Sequence, residues 1–276
     1  MDEQGTNPSD KPESSTELRR LEHNWYCSTS TGERDEYIEG IFHCLFSEFV
    51  KIFGEDVMSH KPVTIFNDPD AHTPRTIPLG EEIRIRLRLP KTSYWAKMIF
   101  QLSHEMTHYA FFSYFPHANQ ENFKKNFENE TSSWNEEIIC EAMSLYMLKL
   151  AAENWEKCSL VQINPKYNAA IENYLKDEYN RSKKFPLKSE GSYIPATDFH
   201  KNFNQKSCVD RDNHNSETNY LYDLFTSVNA KTIGEVLDMY KYFNKDHRCI
   251  DYAAWIKNAN NPVFIENVSV IQPKLT

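Results

Sequence analysis

Between Glu82 and Phe115 the hydrophobic period of the chain changes from two to about 3.6, so a strand there must run into a helix. In Glu82-Ile-Arg-Ile-Arg-Leu-Arg-Leu89, residues Ile83, Ile85, Leu87 and Leu89 take one face, and Arg84, Arg86 and Arg88 take the other. A half-buried strand with a charged outer face suits an antiparallel or edge position, and an edge would pair with an extended peptide. Pro90 closes the strand. Tyr94 to Phe115 is then helical until Pro116, with apolar residues nearly all the way round, which predicts a mostly buried helix.

Seven glycines in 276 residues argue against propellers, glycine-rich nucleotide loops and turn-dense sandwiches, and for a largely helical chain. A helix is predicted from Glu33, with Ile38, Ile41, Phe42, Leu45, Phe46, Phe49 and Ile52 at helical spacing and Gly54 at its end. His43 within it reads as a core or boundary histidine. Pro62 to Asn67 reads as a short strand closed by a turn at Asn67-Asp-Pro-Asp70. A second acidic helix opens at Ser133, where Glu136 three residues on completes a capping box. Further helices are predicted over Asn168–Lys184, Glu217–Asn229, Thr232–Phe243 and Ile250–Asn258, and Val263 to Ile271 as a short strand or packed tail. Residues 185–216 show no period and read as a long loop or a disordered stretch.

The buried helix carries His104-Glu105-Met106-Thr107-His108. Residues four apart lie one turn above each other on one face, so both imidazoles can reach one metal ion, with Glu105 beside the position left for water. A buried apolar helix gains nothing from these groups unless something satisfies them, because burying unpaired polar groups costs roughly 2–7 kcal/mol. A third ligand is available on the acidic helix, where Glu137 and Glu141 are four apart and share a face flanked by Ile138, Ile139, Met143 and Leu145. Glu136 points elsewhere and is assigned to the cap.

The H-E-x-x-H motif followed by a glutamate helix resembles the gluzincin branch of the zincin metallopeptidases. Glu137-Ile-Ile-Cys140-Glu141 is similar to the pattern E-x-x-A-D of several such families. In the ImmA/IrrE-like group the helix reads roughly E-x-x-A-N-x-F-A-x-x-L-L, and Glu137, Cys140, Glu141, Met143, Ser144, Met147 and Leu148 occupy those places. Cys140, Glu141 and Met143 depart from it. A rival alignment sets Glu141-Ala-Met-Ser-Leu-Tyr146 against the E-G-F-A-x-Y of aminopeptidase-like gluzincins. The resemblance covers about residues 60–150. It implies Zn2+ held by His104, His108 and Glu137, with Glu141 as an outer partner of a zinc-bound histidine or the alternative ligand. It implies Glu105 as the catalytic base acting on a zinc-bound water. His200, His214, Tyr193, Tyr220 and Tyr222 are candidates to steady the oxyanion, none singled out.

The fold expected is α+β and zincin-like, a small twisted sheet packed on the active-site helix with a mostly helical C-terminal part. Residues 1–17 are expected to form a disordered tail, 18–160 a zincin-like catalytic domain, and 161–276 a helical extension completing or covering the site. The expected function is that of a zinc-dependent metalloendopeptidase cleaving a protein or peptide substrate. The alternatives are a catalytically silent regulatory or binding module on the same scaffold and a small-amide hydrolase.

With 31 basic and 40 acidic residues the formal charge is −9, so neither nucleic acid nor a membrane is expected as partner. The polar N-terminal stretch lacks the apolar core of a signal peptide, which leads to the expectation of a cytoplasmic protein or one exported without a cleavable signal. Six scattered cysteines without a C-x-x-C pair read as buried free thiols.

Overall fold

The structure, a computed structural model, describes residues 18–28, 35–114, 131–181, 187, 214–244 and 249–273. The predicted tail 1–17 and nearly all of 185–216 lie outside the described residues.

The chain is α+β, with a mixed five-stranded sheet ordered β1 (Leu18–Arg20), β2 (Trp25–Ser28), β3 (Val63–Asn67), β5 (Glu82–Leu87) and β4 (Arg75–Leu79). Strands β2, β3 and β5 run parallel, and both outer strands are antiparallel to their neighbours. One face is apolar: Trp25, Cys27, Val63, Ile65, Ile83, Ile85 and Leu87 are fully buried. Burying each large aliphatic chain contributes roughly 1.5–3 kcal/mol, against about 0.2–1 kcal/mol for a cross-strand pair. The packed face therefore sets the register, and the period-two alternation of β5 appears as expected.

Of the two positions expected for β5, antiparallel or edge, it takes the first: it lies between β3 and β4, antiparallel to β4, and the edge on that side is β4. The sequence Arg-Thr-Ile-Pro-Leu is short and contains a proline, so it shows no strand period of its own; pairing with β5 makes it a strand.

The apolar face packs against α1 (Asp35–Phe53) and α3 (Trp95–Tyr114). Gly54 (φ 89°) ends α1 in a backbone conformation that a side chain disfavours, and the one-turn helix α2 (Glu55–Met58) follows. His43 is on the exposed face of α1, its Nδ1 3.4 Å from a Glu22 carboxylate oxygen, and not in the core.

Four polar contacts fix α3 on the sheet. The Gln101 amide accepts from Arg88 N and donates to Arg88 O (2.9 and 3.0 Å), clasping the chain just after β5. The buried Tyr109 hydroxyl accepts from Lys61 N and donates to Lys61 O (3.0 and 3.1 Å) ahead of β3. A helix held at both levels cannot slide along the sheet without leaving buried polar groups unpaired.

Helix α4 (Thr131–Glu153) is buried on nearly every side from Trp134 to Leu148 and crosses α3 as the central element of the helical layer. Around it pack α5 (Asn168–Asn180) and α6 (Asn215–Ser227). Then come α7 (Ala230–Ile233), a 3-10 helix at Gly234–Tyr242, and the two-stranded pair β6 (Phe243–Asn244) and β7 (Cys249–Ile250). Helices α8 (Tyr252–Asn258) and α9 (Pro262–Val268) follow; the latter occupies the stretch expected to be a strand or tail, with Asn261 capping it through Phe264 N.

The 3-10 helix is held tightly. A Cβ on Gly234 would stand 2.2 Å from the Ile52 carbonyl oxygen, so only glycine lets this backbone approach the end of α1. Lys241, Asp238 and Tyr114 tie its other end to the end of α3: Tyr114 donates to Asp238 (2.6 Å), and Lys241 Nζ lies 2.8 Å from the Tyr114 hydroxyl.

Candidate metal centre

The crossing of α3 and α4 brings His104, His108 and Glu137 together. Their Nε2 atoms and carboxylate oxygens point into one small space, all within 4.8 Å of one another. The two Nε2 atoms are 3.1 Å apart, His104 Nε2 is 3.3 Å from Glu137 Oε2, and His108 Nε2 is 3.6 Å from Glu137 Oε1. These side chains are 13, 15 and 17% exposed on helices otherwise buried, so the cluster opens to solvent.

The outer ring nitrogens face acids. His108 Nδ1 lies 2.6 Å from Glu136 Oε1, and the Tyr240 hydroxyl donates to Glu136 Oε2. His104 Nδ1 faces Glu141 Oε1 at 3.6 Å, an ion-pair separation too long for a hydrogen bond. Glu136 therefore does not cap its helix. Both of its oxygens, on a carboxylate only 8% exposed, are engaged by an imidazole and a phenol instead. The sequence reading missed both Glu136 and Tyr240. The spacing of Glu136 offered a competing cap, and a tyrosine in a distant segment carries no local signature.

The charges support each other. Burial raises the Glu137 carboxyl, but the imidazoles of His108 and His104 outweigh it and hold the group down to about 2. Burial lowers both imidazoles, yet they end above the usual histidine value: His104 through Glu137 and Glu141, His108 well above through Glu137 and Glu136. His214, buried behind α4 near Trp134, adds to the pull on Glu137.

This donor set fits a metal ion. When His108 is neutral and gives its Nδ1–H to Glu136, its Nε2 carries a lone pair that meets the Nε2 of His104 and the Glu137 carboxylate. Acceptors facing one another at 3.1–3.6 Å need a shared cation or added protons between them. Ligand atoms about 2.0–2.1 Å from a tetrahedral zinc stand about 3.3 Å apart, close to these separations. A second group, His108, Glu136 and Cys140, lies on the outer side of the same ring. It fits less well, because His108 Nδ1 is already engaged by Glu136 and burial pushes the Cys140 thiol up, keeping it protonated.

Glu105 is 3% exposed and reaches toward the sheet. Thr76 on β4 donates to its Oε2 at 2.7 Å and lies 3.1 Å from its backbone carbonyl, so the edge strand and the motif helix meet at this residue. Among the oxyanion candidates, His214 is 3.2 Å from Thr218 Oγ1, Tyr220 donates to Asn267 and Tyr222 packs on Tyr179. His200 and Tyr193 lie outside the described residues. Cys27, Cys44, Cys140, Cys158 and Cys249 are free thiols, buried or half-buried.

Compared with protein-family models, with curated proteins and with solved structures, the chain gives no match. No described helix is long and apolar enough to cross a membrane.

Proposed function

We propose that this chain is a zinc hydrolase in which His104, His108 and Glu137 hold the metal and Glu105 is the base. Within that class we read it as an endopeptidase acting on a protein or peptide substrate. The observation that carries the reading is the convergence of two Nε2 atoms and one carboxylate, each backed by an outer acid or imidazole, on one partly exposed point of the helix that also carries Glu105.

Zinc bound there would act as a Lewis acid toward water and the scissile carbonyl. The residues do the rest. Glu136 takes the Nδ1–H of His108 and turns its Nε2 inward, which fixes the tautomer needed for binding, while Glu141 faces the outer nitrogen of His104 as a charge partner. The Thr76 hydroxyl occupies Glu105 Oε2 and leaves Oε1 to accept a proton from the attacking water. The same carboxyl then returns that proton to the leaving amine. Among the described residues no strand lies beyond β4, and an open edge next to Glu105 supports an extended peptide over a small amide.

The test is metal analysis of the purified chain combined with digestion of a denatured whole-cell lysate. About one zinc per chain is expected, with new peptide termini that vanish on chelation and return with added zinc. A chain that takes up no zinc contradicts the reading.

A further inference from the structure

The free edge of β4 offers an extended segment one favoured register. Ile83 N donates to Pro62 O and Asp68 N to Leu87 O, so the odd-numbered residues of β5 point their backbone groups toward β3. The even ones therefore face β4, where Arg84 pairs with Ile77 and Arg86 with Arg75. Thr76 and Pro78 are left with their backbone groups on the open side. Pro78 has no N–H, so Thr76 alone presents both a donor and an acceptor there.

An antiparallel segment, the more stable pairing per residue, would exchange both hydrogen bonds with Thr76 through a single residue. The side chain of that residue shares the face of Thr76, toward Glu105. Its two neighbours lie on the opposite face, the preceding one beside Ile77 and the following one beside Arg75. Ile77 is half-buried and apolar, whereas Arg75 is exposed and its side chain makes no hydrogen bond or ion pair among the described residues. Arg86 stands directly behind Arg75, with Arg84 and Arg88 along the same face against one acid, Glu82. In a chain of net charge −9, this is a local cationic strip.

We propose that the segment bound along β4 has the pattern apolar–any–acidic, with the apolar side chain against Ile77, the middle residue facing Glu105 and the acidic one against Arg75. This names a substrate class for the site and rests on the peptidase reading above.

Fluorescence anisotropy tests it with the zinc-loaded full-length Glu105→Gln chain and labelled Ala-Ala-Leu-Ala-Glu-Ala-Ala. Comparison peptides carry lysine in place of glutamate, or the two side chains exchanged. The glutamate peptide is expected to bind at least about fivefold more tightly than either, since a favourable exposed pair is replaced by a repulsive or misplaced one. Arg75→Glu should keep its zinc and invert the preference between glutamate and lysine. Equal affinities, no binding of any peptide, or an Arg75→Glu preference unchanged from the parent would overturn the inference. The intended preference, together with a wild-type chain that cleaves no peptide, would count against the peptidase reading alone.

Discussion

The Tyr240 hydroxyl donates to the Glu136 carboxylate whose other oxygen holds His108, so a residue in the C-terminal third of the chain braces an imidazole of the candidate metal site. The 3-10 helix carrying Tyr240 is itself fastened at Gly234 and at Lys241. Tyr240→Phe removes one donor and keeps the ring against Phe111. Zinc affinity is expected to fall by about tenfold, toward the lower end of the usual range for outer partners of ligating histidines. Competition with a chelator of known affinity measures it, and an unchanged affinity would detach Tyr240 from the site.

Glu137 and Glu141 should separate cleanly. Glu137 faces both Nε2 atoms, whereas Glu141 faces the outer nitrogen of His104. Glu137→Ala should strip the metal as severely as His104→Ala. Glu141→Ala should weaken binding in a graded way, about 10- to 100-fold. Zinc titrations in which Glu141→Ala proved the worse would move the ligand role one turn along α4.

Thr76→Val exchanges the hydroxyl for a methyl of nearly equal size, leaving Glu105 Oε2 without its donor. Zinc content should be untouched, because Thr76 contacts no ligand. The expected result is a fall in kcat of about tenfold with little change in KM, since the base loses its orientation while the edge backbone is intact. Thr76→Ser should restore most of the rate.

The pH dependence follows from the directions of the shifts. Glu137, held down to about 2, contributes stability that is complete above its unfolded value and is lost as pH falls toward 2. His104 and His108, both raised, contribute stability that is complete below about 6.5 and is lost as pH rises through their folded values. The metal-free chain should therefore melt at a higher temperature at pH 6 than at pH 8. Zinc must displace the protons held by these imidazoles. Its stabilising effect should accordingly be larger at pH 8, and thermal melts with and without zinc at both values read this directly. Equal zinc-induced shifts at the two pH values would contradict the protonation assigned to the cluster.

What the sequence made legible was whatever repeats locally. The alternation of Ile83, Ile85 and Leu87, the all-round apolar helix and the four-residue spacings of His104/His108 and Glu137/Glu141 each follow from one element's own period. β4 was missed because Arg75 to Leu79 is a strand only through β5, so the sequence left β5 as antiparallel or edge and could not show that β4 forms the edge beyond it. Glu136 was misread because its local spacing to Ser133 satisfies a capping rule, while its partners come from positions 108 and 240. Contacts between distant segments leave no periodic trace, and Tyr240 and Thr76 are both of that kind.

The most direct measurement is the turnover of a fluorogenic peptide pool by zinc-loaded wild-type protein and by Glu105→Gln, each with its zinc content determined on the same sample. The amide keeps a carbonyl oxygen for Thr76 and a matching shape, so the variant should fold and carry about one zinc per chain. The account expects wild-type cleavage and a rate at least about 100-fold lower in Glu105→Gln. Comparable rates in the two proteins, at equal zinc, would contradict it.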